Sequence, residues 1–198
     1  MKLYAFEKEH NDSMNYYWFE NGFDRQELDT IYRMVETLPF EHAEILGTND
    51  DIRNSRVKWI PQEPEWDWLY LKLMDMAKTA NNELWQFEMH TAPEMIQYTE
   101  YLANENGKYE WHQDIGPGLP SLRKVSITVQ LSEADEYEGG DLKIWMGGDL
   151  SDEMNLVTAP RGAGHVVVFP SYMPHCVTPV TKGIRRSFVI WLGGEHYK

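Results

Sequence analysis

The part of the chain from Leu84 onward constrains the fold most, because it is a succession of short β-prone runs. β-Branched and aromatic residues alternate there with turn signals such as Gly139-Gly140. Between Val125 and Leu131, apolar residues alternate with Ser, Thr and Gln, which is the period-2 pattern of a half-buried strand. The sequence therefore predicts strands at about 84–90, 95–102, 109–114, 124–131, 141–146, 156–158, 165–169, 175–180 and 185–192.

The part before residue 84 has a helical pattern. Asp24 and Glu27 are spaced as a capping box, and the apolar residues that follow recur at helical spacing until Pro39. A second helix is predicted from about Pro64 to the Asn81-Asn82 pair. Two helices followed by many strands predict an α+β, mainly β fold, a β-sandwich or jelly roll with helices packed outside it. We expect one domain over 1–198, with helical support at about 1–83 and a jelly-roll core at about 84–192.

Composition excludes several classes of protein. The 198 residues include 32 Asp plus Glu against 18 Lys plus Arg, a formal charge of -14, which argues against a nucleic-acid or anionic membrane partner. The single Cys176 excludes an intramolecular disulfide framework and a Cys-rich zinc site. The segment 1–12 lacks the apolar region of a signal peptide, and no run reaches the roughly 20 apolar residues of a membrane span. A cytoplasmic protein with no membrane partner is expected.

The predicted strand at 109–114 carries the first candidate for a metal site. His112 and Asp114 are two residues apart, so their side chains share one face of an extended strand. Their Cα atoms then lie roughly 6.6 Å apart, close enough for an imidazole nitrogen and a carboxylate oxygen to reach one cation. Taken alone, the pair is a weak signal and favours a hydrogen-bonded surface pair over a metal site.

A second segment favours the metal interpretation. His175 begins a predicted strand 61 residues after Asp114, and Arg185 lies 10 residues further on. Two imidazoles and one carboxylate form the facial triad of non-heme Fe(II) oxygenases, which leaves open positions on the metal. One carboxylate on a divalent ion leaves a net charge of +1, so the site can accept an anionic bidentate ligand and O₂. The guanidinium of Arg185 suits a distal carboxylate of that ligand.

The order of these motifs resembles the Fe(II)/2-oxoglutarate dioxygenases of the prolyl 4-hydroxylase-like group, in its bacterial and viral branch. The resemblance covers about residues 95–192 and rests on His112-x-Asp114, Gly139-Gly140-Asp141-Leu142, Phe169-Pro170-Ser171, His175, Pro179-Val180-Thr181-x-Gly183-x-Arg185 and Trp191. It implies a double-stranded β-helix, or jelly roll, with supporting N-terminal helices.

The resemblance also assigns roles to individual residues. It implies His112, Asp114 and His175 as catalytic iron ligands, and Arg185 as the clamp for the C5-carboxylate of 2-oxoglutarate. Tyr101 matches the tyrosine that contacts this co-substrate. The stretch from Leu102 to Trp111 is longer than in typical members, so Tyr98 or Tyr109 is the substitute.

The expected activity is hydroxylation of an unactivated C–H bond, with Fe(II), 2-oxoglutarate and O₂ as cofactor and co-substrates and ascorbate as an optional reductant. A peptidyl prolyl or other amino-acid residue is the first substrate hypothesis, within a class of peptide, amino-acid or small-molecule substrates. A cupin-like metal-binding module without turnover is the alternative, and a nucleic-acid demethylase is a weaker one because of the charge of -14. The oligomeric state is not predicted.

Three residues near these motifs have open roles. Arg123 precedes the alternating strand and is interpreted as a surface or salt-bridged arginine, with a place at the mouth of the site as the alternative. Trp191 shares a predicted strand face with Arg185 and fits either the iron cavity or the core. His165 opens an apolar strand, where a hydrogen-bonded barrel histidine is expected.

Overall fold

The computed structural model describes residues 15–42 and 52–196, so the N-terminal segment 1–12 lies outside the described residues. The described helices are α1 (Arg25–Glu36) and α2 (Asp67–Leu84), and neither is long and apolar enough to cross a membrane. The strands are β1 (Tyr17–Phe19), β2 (Glu41–His42), β3 (Arg53–Asn54), β4 (Arg56–Ile60), β5 (Ile96–Leu102), β6 (Lys108–His112), β7 (Arg123–Gln130), β8 (Tyr137–Gly139), β9 (Leu142–Trp145), β10 (Leu156–Thr158), β11 (Val166–Pro170), β12 (His175–Val177) and β13 (Val180–Gly193).

Within the described part of the chain, these strands form two antiparallel sheets. The larger sheet has the order β1-β11-β7-β13-β5-β4-β2, with β8 also paired to β13, and the smaller has the order β10-β9-β12-β6-β3. The sheets face each other across an apolar cluster to which Phe169 and Ile144 contribute. This arrangement is the predicted double-stranded β-helix, so the α+β, mainly β class is confirmed.

The first part of the chain is less helical than predicted. Four short strands, β1 to β4, lie there, and β4 adds to the larger sheet beside β5. The strand predicted at 84–90 is wrong, because α2 continues to Leu84 and the described residues after it form no strand up to 90. The side-chain amide of Asn81 exchanges two hydrogen bonds of 2.8 Å with the backbone of Phe87, which holds the segment that follows α2. The same Asn81 lies inside α2 and does not end it.

Strand β7 separates the main apolar core from a polar interior. Its residues Val125, Ile127 and Val129 are buried in the cluster that also contains Ile31 of α1 and Leu69 of α2. The alternating polar residues of β7 are buried as well, on the face toward the smaller sheet. The polar half of the alternation therefore points into the molecule, and not to solvent as in a half-buried strand.

The N-terminus of α1 carries the capping box that the sequence predicts. A side-chain oxygen of Asp24 accepts a hydrogen bond of 2.9 Å from the Glu27 backbone N–H, and the Glu27 carboxylate accepts one of 2.8 Å from Asp24 N–H. Asp24→Ala should lower the free energy of unfolding in urea by about 1 kcal/mol, since it removes an N-cap. Asp29→Ala, which breaks an exposed pair with Arg25 on the same helix, should cost clearly less. Equal losses in the two variants would contradict the capping role.

Candidate metal centre

The three predicted ligands come together between the two sheets. His112 ends β6, His175 begins β12, and the pairing of these strands sets the two histidines opposite each other. The Nε2 atom of His112 lies 3.7 Å from Asp114 Oδ1, and the Nε2 atom of His175 lies 3.5 Å from Asp114 Oδ2. One ligand atom from each residue falls within 4.8 Å of the others. Two imidazoles and a carboxylate thus converge on one point.

Backbone carbonyls fix the tautomer of both histidines. His112 Nδ1 is 2.7 Å from the carbonyl oxygen of Glu110, and His175 Nδ1 is 2.9 Å from that of Met173. Because a carbonyl can only accept, each Nδ1 carries a hydrogen, so in the neutral imidazole it is Nε2 that presents a lone pair toward Asp114. Burial, together with the adjacent His175, lowers the pKa of His112 to about 3. His112 is therefore neutral at neutral pH, as a metal ligand must be.

Asp114 is held at its backbone and at its carboxylate. Its N–H donates to the carbonyl of Ser171 over 2.9 Å, and its carbonyl accepts from Arg123 Nη1 over 2.9 Å. The Ser126 hydroxyl donates to Oδ2 over 2.6 Å. Burial alone would raise the pKa of this carboxyl, but the two histidines and Ser126 outweigh burial and hold the pKa below its usual range. The carboxylate is therefore ionised and has a fixed direction.

This donor set fits an Fe(II) site of the facial-triad type. It offers two imidazole Nε2 nitrogens and one carboxylate oxygen, and a backbone carbonyl occupies the Nδ1 side of each imidazole. Three protein ligands leave positions on the metal for exogenous ligands, which is the arrangement in non-heme Fe(II) oxygenases.

Arg185 is a buried cation whose described partners are all neutral. It is 1% exposed on β13, where Nη1 donates to Ser187 Oγ over 3.2 Å and Nη2 donates to Gln130 Oε1 over 3.0 Å. Its Nε is buried without a hydrogen-bond partner, and no carboxylate of the described residues pairs with it. Burying an unpaired charge is costly, so the geometry favours an anion beside this guanidinium.

The three candidate tyrosines lie in different places. Tyr101 lines the same cavity as the triad, and its ring centroid is 5.4 Å from the guanidinium carbon of Arg185. Tyr109 also lines the cavity and stacks on the His112 ring at 3.5 Å. Tyr98 belongs to the core on the helical side of the larger sheet, where its hydroxyl donates to Glu100 over 2.7 Å. Tyr98 thus faces away from the cavity.

The cavity has a volume of about 420 Å³ and is lined by both sheets. Four alternate residues of β13 line one wall, namely Arg185, Ser187, Val189 and Trp191. Trp191 therefore lies on the cavity side, as the strand-face argument allowed.

Arg123 also lines the cavity and is held by an ion pair. It pairs with Glu94 through hydrogen bonds of 2.5 and 2.6 Å, and its guanidinium carbon lies 3.7 Å from the Trp191 ring centroid. His165 does not line this cavity. Its Nδ1 is buried without a hydrogen-bond partner among the described residues, so the expectation of a hydrogen-bonded histidine is wrong for that atom.

Sequence reasoning missed the part of the cavity wall that comes from the first 100 residues. Arg53 of β3, Trp59 of β4 and Gln97 of β5 all line the cavity. The signal for β4 is present in the sequence, since Arg56–Ile60 includes Val57, Trp59 and Ile60 in a short β-prone run. This run lies between the two predicted helices, in a segment for which no strand is predicted.

Comparison with known proteins gives one family and a consistent set of relatives. The family model of the 2OG-Fe(II) oxygenase superfamily matches residues 96–193. A PKHD-type hydroxylase of Synechococcus sp. (strain CC9605) is 42% identical over 84 residues, which are 42% of this chain and 36% of the relative. A PKHD-type hydroxylase of Saccharophagus degradans is 41% identical over 78 residues, 38% of this chain and 32% of the relative. The chain thus matches about a third of the length of these relatives.

Solved structures share the fold over almost all of the chain. A prolyl-4-hydroxylase of Pseudomonas putida superposes with a TM-score of 0.70 at 20% identity, covering 92% of this chain and 94% of its own. The viral collagen prolyl hydroxylase of Paramecium Bursaria Chlorella virus-1, in its 2OG complex, gives a TM-score of 0.63 at 17% identity and covers 93% and 98%. At such identities the likeness establishes a common fold.

Proposed function

Because this chain belongs to the 2OG-Fe(II) oxygenase superfamily, we propose that it is an Fe(II)- and 2-oxoglutarate-dependent dioxygenase that hydroxylates an unactivated C–H bond. One observation carries the proposal. An ionised carboxylate and two imidazoles converge in the same cavity as a buried arginine that has only neutral partners. The three converging ligands fit a metal ion, and the buried arginine fits an anionic co-substrate.

In this proposal, His112, Asp114 and His175 hold Fe(II), and Arg185 holds the distal carboxylate of 2-oxoglutarate with Tyr101 beside it. The bound metal and co-substrate supply O₂ activation coupled to oxidative decarboxylation, which releases succinate and CO₂. The backbone carbonyls that accept from each Nδ1 keep both imidazoles aimed at the metal.

The proposed substrate is a peptidyl prolyl or other amino-acid residue. The relatives that are similar in sequence are named PKHD-type hydroxylases, and solved structures of the same fold include prolyl hydroxylases. One of these, from Trichoplax adhaerens, was solved with a peptide fragment of the hypoxia inducible factor oxygen degradation domain, at 15% identity and a TM-score of 0.70. The wider class of proposed substrates comprises peptides, amino acids and small molecules.

Two rival functions are less consistent with the site. A cupin-like module that only binds metal has no use for a buried cation without a counter-ion, which Arg185 is among the described residues. A demethylase that acts on nucleic acid needs clustered Lys and Arg, whereas this chain has a formal charge of -14.

The decisive experiment is anaerobic reconstitution with Fe(II) and 2-oxoglutarate. We expect a weak visible metal-to-ligand charge-transfer band, followed by succinate when O₂ is admitted. His112→Ala should abolish both signals because it removes a ligand. His90→Ala, at an exposed histidine outside the cavity, should keep both. Bound metal with neither band nor succinate would favour the cupin-like module.

A further inference from the structure

Arg53 forms part of the cavity wall close to the proposed metal ligands. Its guanidinium carbon lies 4.8 Å from the ring centroid of Tyr109, which stacks on the ring of His112 at 3.5 Å. These two contacts keep the guanidinium carbon within about 8.3 Å of the His112 ring centroid. A group bound by Arg53 is therefore about one amino-acid side chain away from the metal site.

Two buried neutral residues hold this guanidinium in place. Arg53 Nε donates to Ser55 Oγ over 2.9 Å, and Arg53 Nη2 donates to Gln97 Oε1 over 2.7 Å. A guanidinium has five N–H donors, so three have no partner among the described residues. Both hydrogens of Nη1 and the second hydrogen of Nη2 are therefore available, and a guanidinium can bind a carboxylate by two hydrogen bonds.

Among the charges that line the cavity, the positive charge of Arg53 is not balanced by a negative one. The charged side chains that line it among the described residues, apart from histidines, are Arg53, Glu94, Asp114, Arg123 and Arg185. Glu94 neutralises Arg123 through its two hydrogen bonds. In the proposed holoenzyme, Fe(II) and Arg185 balance Asp114 and the 2-oxoglutarate dianion. One positive charge, that of Arg53, is then without a counter-ion.

We propose that Arg53 binds a carboxylate of the substrate, so that the enzyme acts on a free amino acid or on the C-terminal residue of a peptide. The inference rests on the proposed function and names the substrate class for the same cavity. Unless it carries an Asp or Glu side chain, a residue inside a peptide chain offers only neutral amides at this distance, which would leave the guanidinium without a counter-ion beside a bound metal complex.

The acidic surface of the protein is compatible with carboxylate binding at Arg53. At physiological salt the Debye length is about 8 Å, so surface carboxylates further away than this are largely screened. A cation inside the cavity is screened much less, and its attraction for a carboxylate decides the local preference.

Calorimetric titrations of the protein loaded with Mn(II), which supports binding without turnover, test the inference. 2-Oxoglutarate is added first, followed by N-acetyl amino acids and the matching N-acetyl amino-acid amides. Acetylated tripeptides with a C-terminal carboxylate or carboxamide form the second arm. We expect the tightest ligands to be acids that bind about 10- to 100-fold better than their own amides. Whether single amino acids or tripeptides bind better distinguishes the two sources of the carboxylate.

Variants separate recognition from a structural role of Arg53. Arg53→Gln should reduce the affinity of each acid to that of its amide, and Arg53→Lys should restore part of the difference. Arg56→Gln, at an arginine that pairs with Glu105 outside this cavity, should keep the acid-to-amide ratio. If Arg53 only braces Gln97 and Tyr109, Arg53→Gln will weaken acids and amides equally.

Each remaining result counts against the inference. Equal binding of acids and amides to the unmodified protein, or binding of no compound in either arm, overturns it while leaving the proposed function intact. Failure of 2-oxoglutarate to bind in the first titration overturns the proposed function, and the inference falls with it.

Discussion

Replacing Asp114 by Asn is expected to lower the affinity for Fe(II) by more than about 100-fold. The carboxylate is the one anionic member of the three converging ligands, and mutation of residues that only support a metal ligand already costs about 10- to 100-fold. The asparagine oxygen can still accept from the Ser126 hydroxyl, so the fold should persist. Competition with a calibrated chelator measures the affinity, and thermal unfolding without metal checks the fold.

Asp141→Asn is the matched control for this change. Asp141 is a carboxylate just before β9, paired with Arg161 at 2.9 Å, and it does not line the cavity. Its variant should bind Fe(II) like the unmodified protein. An Asp114→Asn protein that kept its Fe(II) affinity within a few-fold would refute the assignment of Asp114 as a ligand.

Arg185→Gln should separate binding from stability. Removing one partner of a buried, hydrogen-bonded charge pair costs about 2–5 kcal/mol, so the affinity for 2-oxoglutarate should fall by at least about 30-fold with the metal retained. The free energy of unfolding should stay the same or rise, because without co-substrate this guanidinium is a buried charge whose described partners are neutral. Calorimetry with Mn(II) and urea denaturation measure the two quantities.

The neighbouring residue supplies the control. Arg186 lies on the same strand but on its other face, where it pairs with Glu100 at 3.1 Å. Arg186→Gln should lower stability slightly and leave 2-oxoglutarate binding unchanged. If Arg185→Gln bound 2-oxoglutarate normally, the clamp role would be wrong.

The alternating pattern of β7 shows both what sequence can predict and where it misleads. Alternation indicates that a strand has two different faces, and for β7 this prediction was correct. It does not report what each face meets. In this fold the apolar face of β7 meets the helices. On the other face, Thr128 lines the cavity, while Ser126 and Gln130 contact Asp114 and Arg185. The polar face was therefore interpreted as solvated, although it contacts the proposed ligand and clamp.

The short strands of the first part could not be predicted from local pattern. β1 and β3 have three and two residues, and each exists because a distant strand provides its hydrogen-bond partners. Tyr17 pairs with Val168 and Arg53 pairs with Tyr109. With so few residues in each element, the deciding energy lies in pairings across 50 to 150 positions of sequence.

The site itself was partly predictable because metal chemistry restricts residue types. The spacing of His112 and Asp114, with His175 and Arg185 downstream, is a chemical pattern that can be recognised without knowledge of the fold. Their convergence on one point agrees with that prediction, while their roles as ligands and clamp remain to be tested. Arg53 carries no such local signal, since only the pairing of β3 with β6 brings it to the cavity.

The cavity wall formed by β13 bears on the length of the co-substrate that the cavity accepts. Successive cavity-facing residues of this strand are about 6.8 Å apart, so Arg185 and Trp191 lie about 20 Å from each other along it. If Arg185 anchors one carboxylate of a dicarboxylate, the other end must reach the proposed metal ligands. A chain one carbon shorter or longer displaces its reactive end by about 1 Å, which can cost about 100-fold in rate. In the proposed enzyme, the separation between Arg185 on the larger sheet and the two histidines on the smaller sheet therefore sets the length of co-substrate that this cavity can use.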